Sequence, residues 1–233
     1  MPIVKLDYPS RKILMRAETD IENTYRRRAC AKEPWTVEFV DRVKPGELFI
    51  DVGANVGPYT LIAATNGCRV MAIEPFFKNV ERLCENLALN NVAANALVLM
   101  QALGERVNVE QFHISDMAYG SASHYLGDVG PRKIAFHMYP VLVTPLDTLK
   151  VFVGPGPRYI KIDTDGHEQQ VLKGMTETLQ QPETQAVLLE YRLKDADAVL
   201  AFFASVGMKP VSKYDERDGK KLDRIAYGLF ERG

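Results

Sequence analysis

The chain has 233 residues, 46% of them apolar and 25% charged, with a formal net charge of −1. That length and composition suit one globular domain with a full core, and so balanced a charge gives no global attraction to nucleic acid or to an anionic membrane. The opening MPIVKLDYPSRKILMR lacks the apolar core of a signal peptide, no run approaches the ~18 apolar residues of a membrane span, and Cys30, Cys68 and Cys84 fit neither a disulfide framework nor a zinc site. A cytoplasmic protein with no membrane span is expected.

Residues 1–43 read as an N-terminal helical region. A short helix is expected from Asp20, with Arg26, Arg27 and Arg28 on a solvated face, and the spacing of Trp35, Val37, Phe39, Val40 and Val43 predicts another, stopped by Lys44-Pro45-Gly46. Then strands and helices alternate. Strands are expected at Leu48–Val52, Arg69–Ile73 and 96–101, separated by helices at Tyr59–Thr65 and at Lys78–Leu89, the latter with Val80, Leu83 and Leu87 inward. Such alternation implies βαβ crossovers and a mainly parallel sheet between helices. Residues 104–149 lose the helical period and read as an insertion of short strands and loops at one edge or end of the sheet. The alternation resumes with a strand at Tyr159–Ile162, a helix at Glu168–Thr178, a strand at Ala186–Glu190 and a helix at Ala196–Val206. Strands at Met208–Lys213 and Ile225–Glu231, joined by DERDGKKLD, predict an antiparallel hairpin at one edge.

In an open α/β sheet the ligand sits beyond the carboxyl ends of the strands, where the strand order reverses. The turn in FIDVGANVGPYT (49–60) is therefore the first candidate site. It departs from G-x-G-x-x-G at the second and third glycines. Asp51 at the strand tip would repel a pyrophosphate and attract a ligand with a nearby positive charge. Glu74 ends the next strand 21 residues after Gly53, where an acid takes the hydroxyls of a ribose. A nucleoside with a cationic tail is specified, and S-adenosylmethionine, with its adenosine, sulfonium and ammonium, meets each demand. The competing reading is that Gly53 and Gly57 only make a tight turn and that Asp51 and Glu74 only cap.

Those residues, in VKPGELFIDVGANVGPYTLIAA (43–64), continue into VMAIEPFFKNVERLCENLALNN (70–91), QALGE (101–105), VTPLDTL (143–149) and YIKIDTDGHEQQVLKGM (159–175). The combination resembles the FkbM family of class I methyltransferases over most of residues 43–210. The resemblance implies a Rossmann-like class I methyltransferase fold: α/β, with a mostly parallel seven-stranded sheet, an antiparallel edge hairpin and helices on both faces. It also implies methylation of a hydroxyl on a small molecule, sugar or glycan. By the same resemblance Asp51, Gly53, Asn55 and Gly57 surround the methionine part of the cofactor, Glu74 takes the ribose, and Ala102 and Leu103 flank the adenine. Glu33 resembles a family acid that reaches the cofactor's ammonium; alternatively it begins a helix ahead of Pro34.

A hydroxyl nucleophile must lose a proton. IKIDTDGHE puts Asp163 at the tip of the fourth strand, with Asp165 and His167 in the turn after it, so these three are the candidates for a general base or acceptor-orienting group. Asp165 stands where the family commonly has glutamate. His167 reads more readily as an exposed helix-start residue than as a base, and Glu168 as a cap. The fifth strand supplies only Glu190 toward a magnesium site and the four histidines lack zinc spacing, so no metal is expected.

The segment 104–149 is expected to form the acceptor pocket, with Tyr119, Ser121 and Ser123 offering hydrogen bonds and ring faces. The alternatives are an RNA or nitrogen methyltransferase of the same fold, a cofactor-binding module without chemistry and, last, a dehydrogenase. Asp163-Thr164-Asp165-Gly166 lacks the Pro-Pro-aromatic turn of the nucleic-acid and nitrogen methylating enzymes, and no nucleic-acid partner is expected. A homo-oligomer stays open.

Overall fold

The computed structural model describes residues 2–127, 137–215 and 225–233. The chain opens with an antiparallel pair, β1 (Ile3–Lys5) and β2 (Leu14–Arg16), followed by the short helices α1 (Asp20–Thr24) and α2 (Ala29–Lys32), and by α3 (Pro34–Asp41). The N-terminal region is thus not wholly helical. Each strand is three residues long and shows no sequence period, and its pairing depends on contacts made much later in the chain. Arg16 N–H donates to Asn86 Oδ1 at 2.8 Å and Leu14 N–H to Asn90 Oδ1 at 2.9 Å.

The alternation follows: β3 (Leu48–Val52), α4 (Pro58–Thr65), β4 (Arg69–Ile73), α5 (Phe77–Leu89) and β5 (Ala96–Leu99). Pro58 suits the first turn of α4, where its missing N–H has no intrahelical partner. On α5 the inward face is Asn79, Arg82, Leu83, Asn86 and Leu87, with Val80 half-buried. The apolar spacing finds Leu83 and Leu87 but not the polar residues that share their face, of which Asn86 holds the N-terminal strand through its amide.

The chain then leaves the main sheet. The strand expected over 96–101 stops at Leu99; β6 (Ala102–Leu103) belongs to a second sheet with β7 (Asn108–Ile114), β8 (Tyr125–Leu126) and β9 (His137–Thr144), in the order β6-β9-β7-β8. This is the inserted segment, and its residues 128–136 lie outside the described ones. It has a core of its own around Phe76, Phe112, Ile114, Val141 and Val143.

After α6 (Lys150–Val153), β10 (Arg158–Ile162) returns to the main sheet beside β3. The expected helix over 168–178 is two, α7 (Glu168–Lys173) and α8 (Thr176–Gln180), with Gly174 between them. A Cβ at Gly174 would meet the Gly104 carbonyl oxygen at 1.9 Å, so a straight helix carrying side chains has no room there. Then come β11 (Thr184–Arg192), α9 (Ala196–Ser205), β12 (Met208–Asp215) and β13 (Ile225–Arg232). The joining turn, DERDGKKLD, falls almost wholly outside the described residues.

The seven-stranded sheet runs β12-β13-β11-β10-β3-β4-β5, and only β13 runs opposite to the other six. One hydrophobic core lies on each face. Phe49, Leu188 and Tyr227 point into the first, with α3 and α4; Ile50, Val52, Ile160 and Ile162 point into the second, with α7, α8 and α9. The order reverses between β3 and β10, so the cleft beyond their carboxyl ends is where a ligand fits this topology. Among the described residues no helix is long and apolar enough to cross a membrane.

Candidate active site

A cavity of about 750 Å³ opens at that switch point, within the roughly 300–1,000 Å³ of small-ligand sites. The turn after β3 makes its floor. Gly53 has φ +78°, and a Cβ there would lie 1.8 Å from the backbone oxygen of Asp163, so the tips of β3 and β10 touch only because residue 53 has no side chain. Asn55, also left-handed at φ 51°, donates its N–H to Glu74 Oε2 at 2.9 Å and its side-chain amide to the Ser121 carbonyl at 2.8 Å. Glu74 Oε1 accepts the Phe76 N–H at 2.9 Å. Burial raises the Glu74 pKa, against those hydrogen bonds. Each oxygen keeps acceptor capacity toward the cavity, and Ala102 and Leu103 line the same end.

Asp51 is not a cavity residue. Strand parity turns it, with Phe49, toward α4, and it is fully buried there. Its carboxylate accepts Thr60 Oγ1 at 2.7 Å and Lys161 Nζ at 3.1 Å. The direct cofactor contact expected of Asp51 is therefore replaced by a buried ion pair one layer below. The register explains the pairing: Asp51 and Lys161 are opposite one another across β3 and β10.

Lys161 is the site residue that the sequence reading left out. Its ammonium also donates to the Gly53 carbonyl at 3.1 Å, lies 3.8 Å from Asp163 Oδ2 and sits over the Tyr59 ring at 5.6 Å. Burial works against its charge, but Asp51, Asp163 and Glu33 more than offset that and hold its pKa above the ordinary value. A lysine inside the apolar run YIKID was the available signal, but its partner needs the strand register.

Glu33 answers both of its readings. Its backbone starts α3, accepting the Thr36 N–H at 3.0 Å, while its buried carboxylate lines the cavity and accepts Tyr59 Oη at 2.7 Å and Lys32 Nζ at 2.6 Å. Burial pushes this acid up, yet Lys32 and Tyr59 win and its pKa is lowered.

On the opposite wall stand Asp163, Asp165 and His167. Burial, with Asp165 and Glu33 nearby, lifts the Asp163 carboxyl to about 7 against the pull of Lys161, and 28% of its side chain stays accessible from the cleft. An acid with that pKa can take a proton near neutrality. Asp165 has φ 55° and its Oδ2 accepts the Ser123 N–H at 2.7 Å, which ties the turn to the inserted segment. Glu168 closes the turn by accepting Thr164 N–H, Thr164 Oγ1 and Gly166 N–H. Burial lowers the His167 pKa. Farther along, Tyr227 Oη donates to Glu190, whose pKa burial and Asp163 raise well above the usual range.

The three proposed acceptor contacts divide. Tyr119 does not line the cavity; its hydroxyl donates to Glu81 at 2.8 Å and its ring covers the Arg82 guanidinium at 4.2 Å, so it is a structural clasp. Ser121 does line it, but its hydroxyl donates to the Asp116 carbonyl at 2.8 Å and meets His124 Nε2 at 3.1 Å. Since His124 Nδ1 accepts the Ser115 N–H at 3.2 Å, its proton is on Nε2 and directed at Ser121. Burial brings His124 down to about 4, which keeps it neutral in this chain of bonds. Ser123 is exposed at the cavity rim. Among the described residues no three His, Cys, Asp or Glu side chains converge to hold a metal.

Similarity to known proteins agrees with this geometry. The methyltransferase FkbM domain matches residues 51–210. The hexuronic acid methyltransferase AglP of Haloferax volcanii is 28% identical over 141 residues, 60% of this chain and 55% of that protein, so the chain spans about half the length of that relative. Among solved structures, an rRNA methylase from Streptococcus thermophilus superposes with a TM-score of 0.55 at 10% identity over 85% of this chain and 94% of that one. The magnesium protoporphyrin IX methyltransferase of Synechocystis PCC 6803, solved with bound SAM, superposes at 0.53 and 10% identity over 94% and 86%. These structural likenesses show the shared class I methyltransferase fold. With more than half its length matched by the family's domain, and the cleft at the switch point of that fold, the chain belongs to the FkbM methyltransferase family.

Proposed function

We propose that this chain is an S-adenosylmethionine-dependent O-methyltransferase that acts on a hydroxyl of a small molecule, sugar or glycan, with Asp163 as general base. The observation that carries the proposal is the Asp163 carboxyl, raised to about 7 and held at the cleft by the contact between Gly53 and its own backbone. The naming of AglP as a hexuronic acid methyltransferase supports a sugar-type acceptor, and the bound SAM of the Synechocystis enzyme supports the cofactor.

The residues present suit that cofactor. Glu74 offers a carboxylate to a ribose diol, and Ala102 and Leu103 offer an apolar wall to a base. Glu33 already receives one ammonium, that of Lys32, so its chemistry suits a ligand's ammonium. Bound there, S-adenosylmethionine supplies an electrophilic methyl group. The protein's tasks are to hold the acceptor oxygen about 3 Å from it and to exclude water. Asp163 would accept the proton that the acceptor hydroxyl releases when its oxygen takes the methyl group, the carbon–sulfur bond breaking to leave S-adenosylhomocysteine. Lys161 favours the ionised form of Asp163, and Asp165 fixes the acceptor wall through Ser123.

The test is Asp163→Asn, assayed with labelled S-adenosylmethionine and candidate acceptors. Turnover should fall roughly 10²- to 10⁴-fold, the share of a general base, while affinity for S-adenosylhomocysteine is retained. Turnover equal to that of the parent protein would remove Asp163 from the chemistry.

A further inference from the structure

Every acid of the cleft already has a partner. Glu33 holds Lys32 and Tyr59, Glu74 two backbone N–H groups, Asp163 faces Lys161, Asp165 holds the Ser123 N–H and Glu190 the Tyr227 hydroxyl. Three of the four cationic side chains of the lining are likewise engaged: Lys32 by Glu33, Lys161 by Asp51 and Arg26, whose Nε donates to the Gly120 carbonyl at 2.7 Å. The fourth is Arg192, half-buried in the same lining, and among the described residues it makes no hydrogen bond or ion pair.

Its position is specific. Arg192 ends β11, two residues beyond Glu190 and on the same face of the strand. Its guanidinium packs against Gly166, where an added Cβ would meet Nη2 at 2.8 Å and Cζ at 3.4 Å. Gly166 closes the turn that carries Asp163 and Asp165. The cofactor-binding residues of the proposed reading stand over β3 and β4, whereas Arg192 stands past β10 on the opposite side of the switch point. Glu190 itself is engaged by the Tyr227 hydroxyl, and no ion pair joins it to Arg192 among the described residues. A half-buried guanidinium is partly stripped of water, and its fork of N–H donors matches an oxyanion bidentately.

We infer that Arg192 is the specificity residue of the acceptor site, and that the acceptor is a hydroxyl compound bearing an oxyanion, a carboxylate or a phosphate, which Arg192 grips so that the hydroxyl faces Asp163. The inference rests on the methyltransferase reading of the cleft.

The test titrates protein saturated with S-adenosylhomocysteine with D-glucuronate, D-glucose 6-phosphate and D-glucose in turn. At least one anionic sugar should bind, D-glucose much more weakly, and which anion binds better distinguishes carboxylate from phosphate. In Arg192→Gln the anionic sugar should lose roughly 10- to 100-fold in affinity, the range for a charge-assisted hydrogen bond. Arg192→Lys, which keeps the charge but not the fork, should fall between. Both variants should bind S-adenosylhomocysteine as the parent does, so a loss confined to the sugar is not misfolding. The inference is overturned if neither anionic sugar binds, if D-glucose binds as tightly, or if Arg192→Gln leaves the anion's affinity unchanged. Failure of S-adenosylhomocysteine itself to bind would instead strike at the methyltransferase reading.

Discussion

Lys161 sits in a strand covered on both faces, where an ammonium has no water and must be surrounded by acceptors. Asp51, the Gly53 carbonyl and Asp163 provide them, so one side chain ties the glycine turn to the proposed base. Two consequences can be measured. Turnover should rise with pH through about 7, because Asp163 accepts a proton only when ionised. Lys161→Met removes the charge that opposes its protonation, so the midpoint of the profile should move upward; it also leaves Asp51 buried without its counter-ion, at a cost of about 3–5 kcal/mol measurable by denaturant titration. The second prediction concerns stability. A carboxyl whose folded pKa lies near 7 instead of the ordinary 3.8 contributes fully to stability only below 3.8, and that contribution is lost as pH rises through about 7. Asp163→Asn has no charge to bury, so at pH 8 it should melt above the parent protein, with the gap closing as pH falls toward 4. A variant that melts below the parent at pH 8 would contradict the burial of this charge. At this scale the sequence exposed the acids but not their orientation. Asp51 reads as a strand-tip ligand until strand parity turns it under α4, and Lys161 is unreadable without the β3–β10 register.

Helix α5 shows what periodicity captures and what it misses. Its length, position and buried Leu83 and Leu87 follow from the sequence, but the same face is partly polar, because Asn86 and Asn90 hold β2 and Arg82 gathers the loops around it. Arg82, fully buried, meets Glu22 at 3.0 Å, Glu18 at 3.0 Å and Glu85 at 3.1 Å, under the ring of Tyr119. Glu22 is itself completely buried and closes a capping box with Thr19. The same Thr19 donates to the Tyr119 carbonyl at 2.9 Å, so this cluster clamps the segment that presents Ser121 and Ser123 to the cleft. Arg82→Met should destabilise the fold by about 3–5 kcal/mol, because it strands Glu22 in the interior. It should also raise hydrogen exchange over residues 2–24 and 115–124 before the central strands are affected. Uniform exchange across the chain would show that Arg82 is no clamp. The break at Gly174 belongs to the same scale: apolar spacing runs on from α7 into α8, and only the Gly104 carbonyl across the fold explains why the helix stops.

Across the whole molecule, the order of strands and helices from Leu48 to Val206 was legible, because each βαβ unit writes its own period and punctuation. The placement of the inserted sheet was not, since its contacts with Phe76 and Gly174 join distant parts of the chain. That placement divides the cleft into an end built by Gly53, Asn55 and Glu74 and an end built by Asp163, Asp165 and Arg192, with the carboxyl ends of β3 and β10 between them. The central claim is that the first end takes the nucleoside of a sulfonium cofactor. Calorimetric titration with S-adenosylhomocysteine, in the parent protein and in Glu74→Ala, tests it most directly. Micromolar binding in the parent and a loss of roughly tenfold or more in Glu74→Ala is the predicted result; no heat at tens of micromolar, or NAD bound in its place, would contradict it.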